Sequence, residues 1–180
     1  MVAYFAEHLS GFVAGGLVES YGNRFYKKPV IVDKVRWTGP ITINHFRFSR
    51  EATSKPVKAI VTGPYTMYHW SFDDYYRTKE EALADLATAV REEVLALTQA
   101  GATFIQIDEP AMSAVPEDFT LVKRGLEAVT QSLSSVHFFT HICYGKFYRI
   151  YPQLLELPID NYDLEIANRQ FHLYDILQEH

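Results

Sequence analysis

Cysteine is almost missing from this chain: Cys143 is the only one in 180 residues. A single thiol excludes an internal disulfide framework and suits a reducing compartment, so a cytoplasmic protein is expected. Basic runs are missing too, and the formal net charge is −5, which argues against nucleic acid as a partner. No apolar stretch approaches the ~20 residues of a membrane span, and no basic-then-apolar leader pattern follows Met1. Repeats and low-complexity tracts are also lacking. The polar, proline-punctuated stretch from Ser49 to Pro56 is too short to link two domains. Length and a hydrophobic share of 48% point to one globular domain over 1–180, with neither nucleic acid nor membrane as partner.

What is present is an alternation of strand and helix patterns. VKAIVTG (57–63) reads as a short buried strand closed by Gly63-Pro64. Thr78 and Glu81 form a capping box, and Leu83, Leu86, Ala87, Val90, Val94 and Leu97 follow at spacings of three and four. Gly101 ends that helix. TFIQID (103–108) is the next strand, then a weaker helix near 117–134 and a strand at 137–143. A helix near 147–156, a short strand at 162–166 and a last helix capped by Asn168 complete the series. This βαβα order predicts a parallel sheet, open and doubly wound or curled into a barrel.

Polar residues gather at one end of those strands. Thr62-Gly63-Pro64, Asp108-Glu109-Pro110, His141-Ile142-Cys143 and Glu165 all fall at C-terminal strand ends, where barrel enzymes place their chemistry. Four such coincidences favour a (β/α) barrel. A complete one takes roughly 250 residues, yet only four strands are distinct beside an ambiguous N-terminal region.

Each candidate residue has two readings. His141 and Cys143 lie two apart in a strand and share a face, so an imidazole and a thiol, both zinc donors, can converge. A lone cysteine is more often a small buried hydrophobe, and the neighbouring histidine tips the balance. From spacing alone Glu165 reads more readily as a surface carboxylate or the partner of Arg169. Asp108-Glu109-Pro110 is a plain strand-to-loop junction or a pair of acids at a barrel top, of which only one need be functional. Trp70 is core packing or a flat face for a planar ligand. Arg24, near Lys27 and Lys28, is a solvated basic face or an attractor for an acidic tail. His8, His45, His69, His137, His172 and His180 show no ligand spacing.

Four segments carry a family likeness: ESYGNRFYKKPVIV (19–32), VTGPYTMYHWSF (61–72), IQIDEPAM (105–112) and THICYGKF (140–147). In this order they resemble the C-terminal catalytic barrel of cobalamin-independent methionine synthase, most closely its short single-barrel form. The likeness extends over essentially all 180 residues. It implies transfer of a methyl group from a methylated folate to the sulfur of homocysteine, on Zn²⁺, to form methionine. By motif, His141, Cys143 and Glu165 (of YDLEIAN) match zinc ligands, and Asp108 matches the carboxylate that holds the homocysteine amine. Trp70 and Arg24 match positions at the folate site, and Phe25 stands where many members have cysteine.

Departures from the family pattern shape the expectation. The chain begins inside a segment that elsewhere follows a substrate-binding glutamate and a Gly-Ser-Phe-Pro loop. It ends before the family's acid histidine and its final zinc cysteine, so no catalytic acid is assigned here. The expected fold is thus α/β of the (β/α)8 TIM-barrel type, incomplete, with first and last strands missing. An incomplete barrel has sticky edges, so homo-oligomerisation or association through them is expected. Two other readings stand beside the methyltransferase: zinc-dependent alkyl transfer to another thiol in the same superfamily, and an inactive fragment that acts only by association.

Overall fold

The computed structural model describes residues 1–19, 25–143 and 149–165. Among the described residues seven strands and five α-helices run in the order α1 (Val2–Ala6), β1 (Leu9–Glu19), β2 (Phe25–Trp37), α2 (Ile43–Glu51), β3 (Lys58–Thr62), α3 (Pro64–His69), β4 (Phe72–Asp73), α4 (Lys79–Gln99), β5 (Phe104–Asp108), α5 (Phe119–Thr130), β6 (His137–Ile142) and β7 (Asn161–Leu164). They form two sheets. One is parallel throughout, in the order β3-β5-β6-β7. The other joins the antiparallel β1–β2 hairpin to the short parallel strand β4.

Alternation explains how the parallel sheet is seated. Ala59, Val61, Ile105, Ile107, Phe138 and Ile142 are buried on one face. Between them Lys58, Ile60, Phe104, Asp108, Phe139 and His141 are half-buried or exposed on the other. Helix α4 offers the apolar stripe that its spacing predicts: Leu86, Val90, Val94 and Leu97 are all buried. Burying each such side chain is worth about 1.5–3 kcal/mol. Thr78 caps the helix as expected, its side chain accepting from Glu81 N. Gly101 follows the C-cap with φ +93, a conformation that favours glycine.

The open face is concave. Lys58 on β3 and Asp163 on β7 form an ion pair of 2.8 Å, although β5 and β6 lie between their strands. In a flat sheet the outer two of four strands are about 14 Å apart, so the sheet curls strongly. The Lys58 ammonium also sits 4.6 Å from the centre of the Phe139 ring on the intervening strand. Among the described residues the curl does not close, and β3 and β7 remain its edges.

Several elements differ from the sequence-based expectation. The ambiguous N-terminal region is a short helix and a long hairpin. Gly63-Pro64 does not merely stop a strand but opens α3, because proline fits the first helical turn, where its missing N–H costs nothing. The helix expected near 147–156 is, within its described part, a turn and a 3₁₀ segment at Gln153–Glu156. Pro152 disfavours helical geometry in the residue before it and lacks a backbone donor. Asn168 and the helix it was expected to cap lie outside the described residues, as do Arg24, Arg169, His172 and His180. Among the described residues no helix is long and apolar enough to cross a membrane.

Candidate functional site

Parallel register brings the polar strand ends into one row. Thr62 pairs with Asp108, Asp108 with His141, and His141 with Asp163. Backbone bonds carry the row past the strands. Gly63 N donates to Asp108 O (2.9 Å), Glu109 N to His141 O (3.2 Å), and Glu165 N to Ile142 O (3.3 Å). His141 and Cys143 flank the buried Ile142 and are themselves half-buried, which places them on the concave face with Asp108.

These groups sense one another's charge. Burial pushes the Asp108 carboxyl up, while a 2.7 Å hydrogen bond from Gln106 Nε2, then His141 and Lys58, pull it back; the net shift is upward. Burial also pushes the Cys143 thiol up, and the negative charges of Glu165 and Asp108 add to it. An imidazole, a thiol and two carboxylates thus share one electrostatic neighbourhood. Thr62 adds a buried hydroxyl with no hydrogen-bond partner among the described residues, one strand from Asp108.

The donor set suits zinc in kind: nitrogen from His141, sulfur from Cys143 and oxygen from Glu165. Crowded negative charge around a thiol is also an environment that a divalent cation relieves. In their described positions, however, no three His, Cys, Asp or Glu side chains are grouped to hold a metal ion. Donor chemistry fits; a closed coordination shell is not formed.

Trp70 stands at the C-terminal end of α3, its N–H bonded to Thr66 O at 3.0 Å. With 38% of its surface exposed it is not core packing. Phe72 beside it is also exposed, and the Lys28 ammonium lies 4.1 Å from the centre of that ring. Arg24 lies outside the described residues.

One residue of the site was named from the sequence without a role of its own. Glu109, the second acid of Asp108-Glu109-Pro110, is wholly buried. Its Oε1 accepts from Tyr65 N (2.9 Å), and its Oε2 accepts from Thr66 N and Thr66 Oγ1 (both 2.7 Å). Burial pushes its carboxyl up to about 7 against the pull of those three donors. A Cβ at Gly63 would lie 2.2 Å from the Glu109 carboxyl, a closeness that no sequence pattern signals.

Comparison with known proteins places this arrangement. The family model described as the catalytic domain of cobalamin-independent synthase matches residues 1–180. The chain belongs to this family. It is 38% identical over 173 residues to a methionine synthase of Saccharolobus solfataricus, covering 93% of this chain and 51% of that protein. A methionine synthase of Thermococcus kodakarensis is 35% identical over 182 residues, at 99% and 53% coverage. The chain therefore spans about half the length of the curated relatives it matches. Among solved structures, a B12-independent methionine synthase from Shewanella sp. W3-18-1, in complex with selenomethionine, superposes with a TM-score of 0.77. That match has 26% identity and covers 88% of this chain and 52% of the other. The chain thus shares the fold of that synthase over 88% of its own length.

Proposed function

We propose that this chain carries part of the site of a zinc-dependent methyltransferase that moves a methyl group from a methylated folate to homocysteine. One observation supports the reading: Asp108, His141, Cys143 and Glu165 stand at the C-terminal ends of adjoining strands, and the two carboxylates act on the Cys143 thiol. His141, Cys143 and Glu165 would hold Zn²⁺. Bound zinc supplies a Lewis acid that lowers the pKa of the substrate thiol, and the thiolate is the nucleophile. Asp108 accepts hydrogen bonds from the homocysteine ammonium, a charge-assisted contact strengthened by partial burial. Trp70 offers its exposed ring to the flat pterin, and Arg24 pairs with the acidic folate tail. Residues 1–180 form one partial (β/α)8 barrel domain, and the compartment is the cytoplasm.

Metal analysis tests the reading. The purified chain is expected to carry zinc, and Cys143→Ala less than about half as much. Equal zinc in both proteins removes Cys143 from the site.

The open concave face favours a second reading, in which the chain acts through association. Exposed Ile60 and half-buried Phe104 and Phe139 on that face, with edges at β3 and β7, suit cover by further strands from this or another polypeptide. A sedimentation mass that stays monomeric at every concentration counts against it.

A further inference from the structure

Two residues given substrate roles above, Asp108 and Trp70, stand on different elements, and one buried side chain connects them. Glu109 follows Asp108 directly and reaches across to the first turn of α3. It grips Thr66 twice, through the amide and through the hydroxyl. The Thr66 hydroxyl in turn accepts from Ala111 N (3.3 Å), which ties the helix back to the loop after β5. Trp70 closes the same helix, its backbone N–H donating to the Thr66 carbonyl one turn earlier. Glu109 thus fixes the first turn of the short helix whose far end carries the indole. Gly63 leaves the passage for the acid, since any Cβ there would collide with it.

We propose that Glu109 is a positioning residue that couples the amine-binding carboxylate Asp108 to the pterin-facing indole Trp70 and so sets the spacing of the two substrates. The inference rests on the methyltransferase reading. A carboxylate is required because three donors converge on it. Glutamine would turn an NH₂ toward at least one of them, and aspartate is one methylene too short. A mere staple would change stability alone. A coupling residue changes the setting of Trp70 and the mutual effect of the two ligands while the fold is retained.

Fluorine NMR on the full chain labelled with 5-fluorotryptophan separates these cases. The chain has two tryptophans, and Trp70→Phe assigns the signals. Trp37 serves as an internal control, because its Nε1 is bonded to Glu93 (2.9 Å), away from this linkage. In Glu109→Gln the Trp70 signal is expected to shift and broaden while the Trp37 signal holds. Glu109→Asp should fall between. An unchanged Trp70 signal, or equal movement of both signals, overturns the coupling. If Glu109→Gln does not fold, Thr66→Val removes the hydroxyl's bonds to Glu109 and from Ala111 N, leaves the amide contact, and is judged by the same two signals.

Binding supplies the second arm, with homocysteine and 5-methyltetrahydrofolate as probes on the zinc-loaded chain. In the parent, each ligand should change the other's Kd by the same factor, about fivefold or more. In Glu109→Gln that factor should collapse toward one; a factor equal to the parent's overturns the proposal. A parent chain that binds neither probe defeats the methyltransferase reading instead, while the fluorine signals still decide the linkage from β5 to Trp70.

Discussion

Asp108 and His141 face each other in register on adjacent parallel strands, and the charge of one acts on the other. Burial raises the Asp108 carboxyl on balance, against the pull of Gln106 and His141, and a cationic amine would favour its charged form. Asp108→Asn is therefore expected to weaken homocysteine binding by about 1.5–3 kcal/mol, the worth of a hydrogen bond to a charged group. A thiol without an amine should bind parent and variant alike. Titration calorimetry with both thiols checks this, and equal losses for the two would reassign Asp108.

Thr62 leads to a gain of stability. Its hydroxyl is buried and unpartnered among the described residues. Thr62→Val keeps the shape and removes an unsatisfied polar atom, so unfolding should become harder by about 1 kcal/mol. A denaturant melt of both proteins reads it. A loss of similar size would mean that the hydroxyl has a partner.

Acid sensitivity should trace to Asp118. Burial tends to raise its carboxyl, but hydrogen bonds from Lys79 (2.7 Å) and Tyr65 (2.9 Å) outweigh this and hold it below the usual range. A depressed folded pKa gives stability that is full above the unfolded value of about 3.9 and is lost as pH falls through the folded one. Melting temperature against pH should therefore drop more steeply below about pH 4 in the parent than in Asp118→Asn. Parallel curves would refute the assignment.

Glu93 ties α4 to the end of β2 and to the loop that follows it. Fully buried on α4, it accepts from Trp37 Nε1, Ile41 N, Thr42 N and Thr42 Oγ1 at 2.7–2.9 Å. Glu93→Ala strands all four donors and should cost at least about 3 kcal/mol. Chemical denaturation measures it; a loss under about 1 kcal/mol would show that water replaces the carboxylate.

Much of this was legible in the residues, and the rest was hidden for physical reasons. Short Val, Ile and Phe runs closed by Gly, Pro or acids marked β3, β5 and β6, and the Thr78–Glu81 box marked α4. The row of strand ends followed from strand order alone, which is why Asp108 and His141 were found together. Helix α3 was hidden because proline both ends strands and begins helices, and its sequence context did not choose. The hairpin was hidden because its exposed Val13, Leu17 and Phe25 blur the alternation that marks a half-buried strand. Glu109 and Thr62 were invisible in kind: burial of an acid or a hydroxyl is decided by what packs over it, from elements distant in sequence. The curl of the sheet was equally hidden until Lys58 met Asp163.

Gly63 and Glu109 occupy what is in effect one volume, shared between two positions 46 residues apart. Substitutions there are order-dependent. A lineage that first trims the acid opens room for a methyl group where the glycine stands, whereas one that adds the methyl first has nowhere to put the acid. Change at this corner should therefore begin at Glu109, and a residue larger than glycine at position 63 should be found only where the acid has been trimmed.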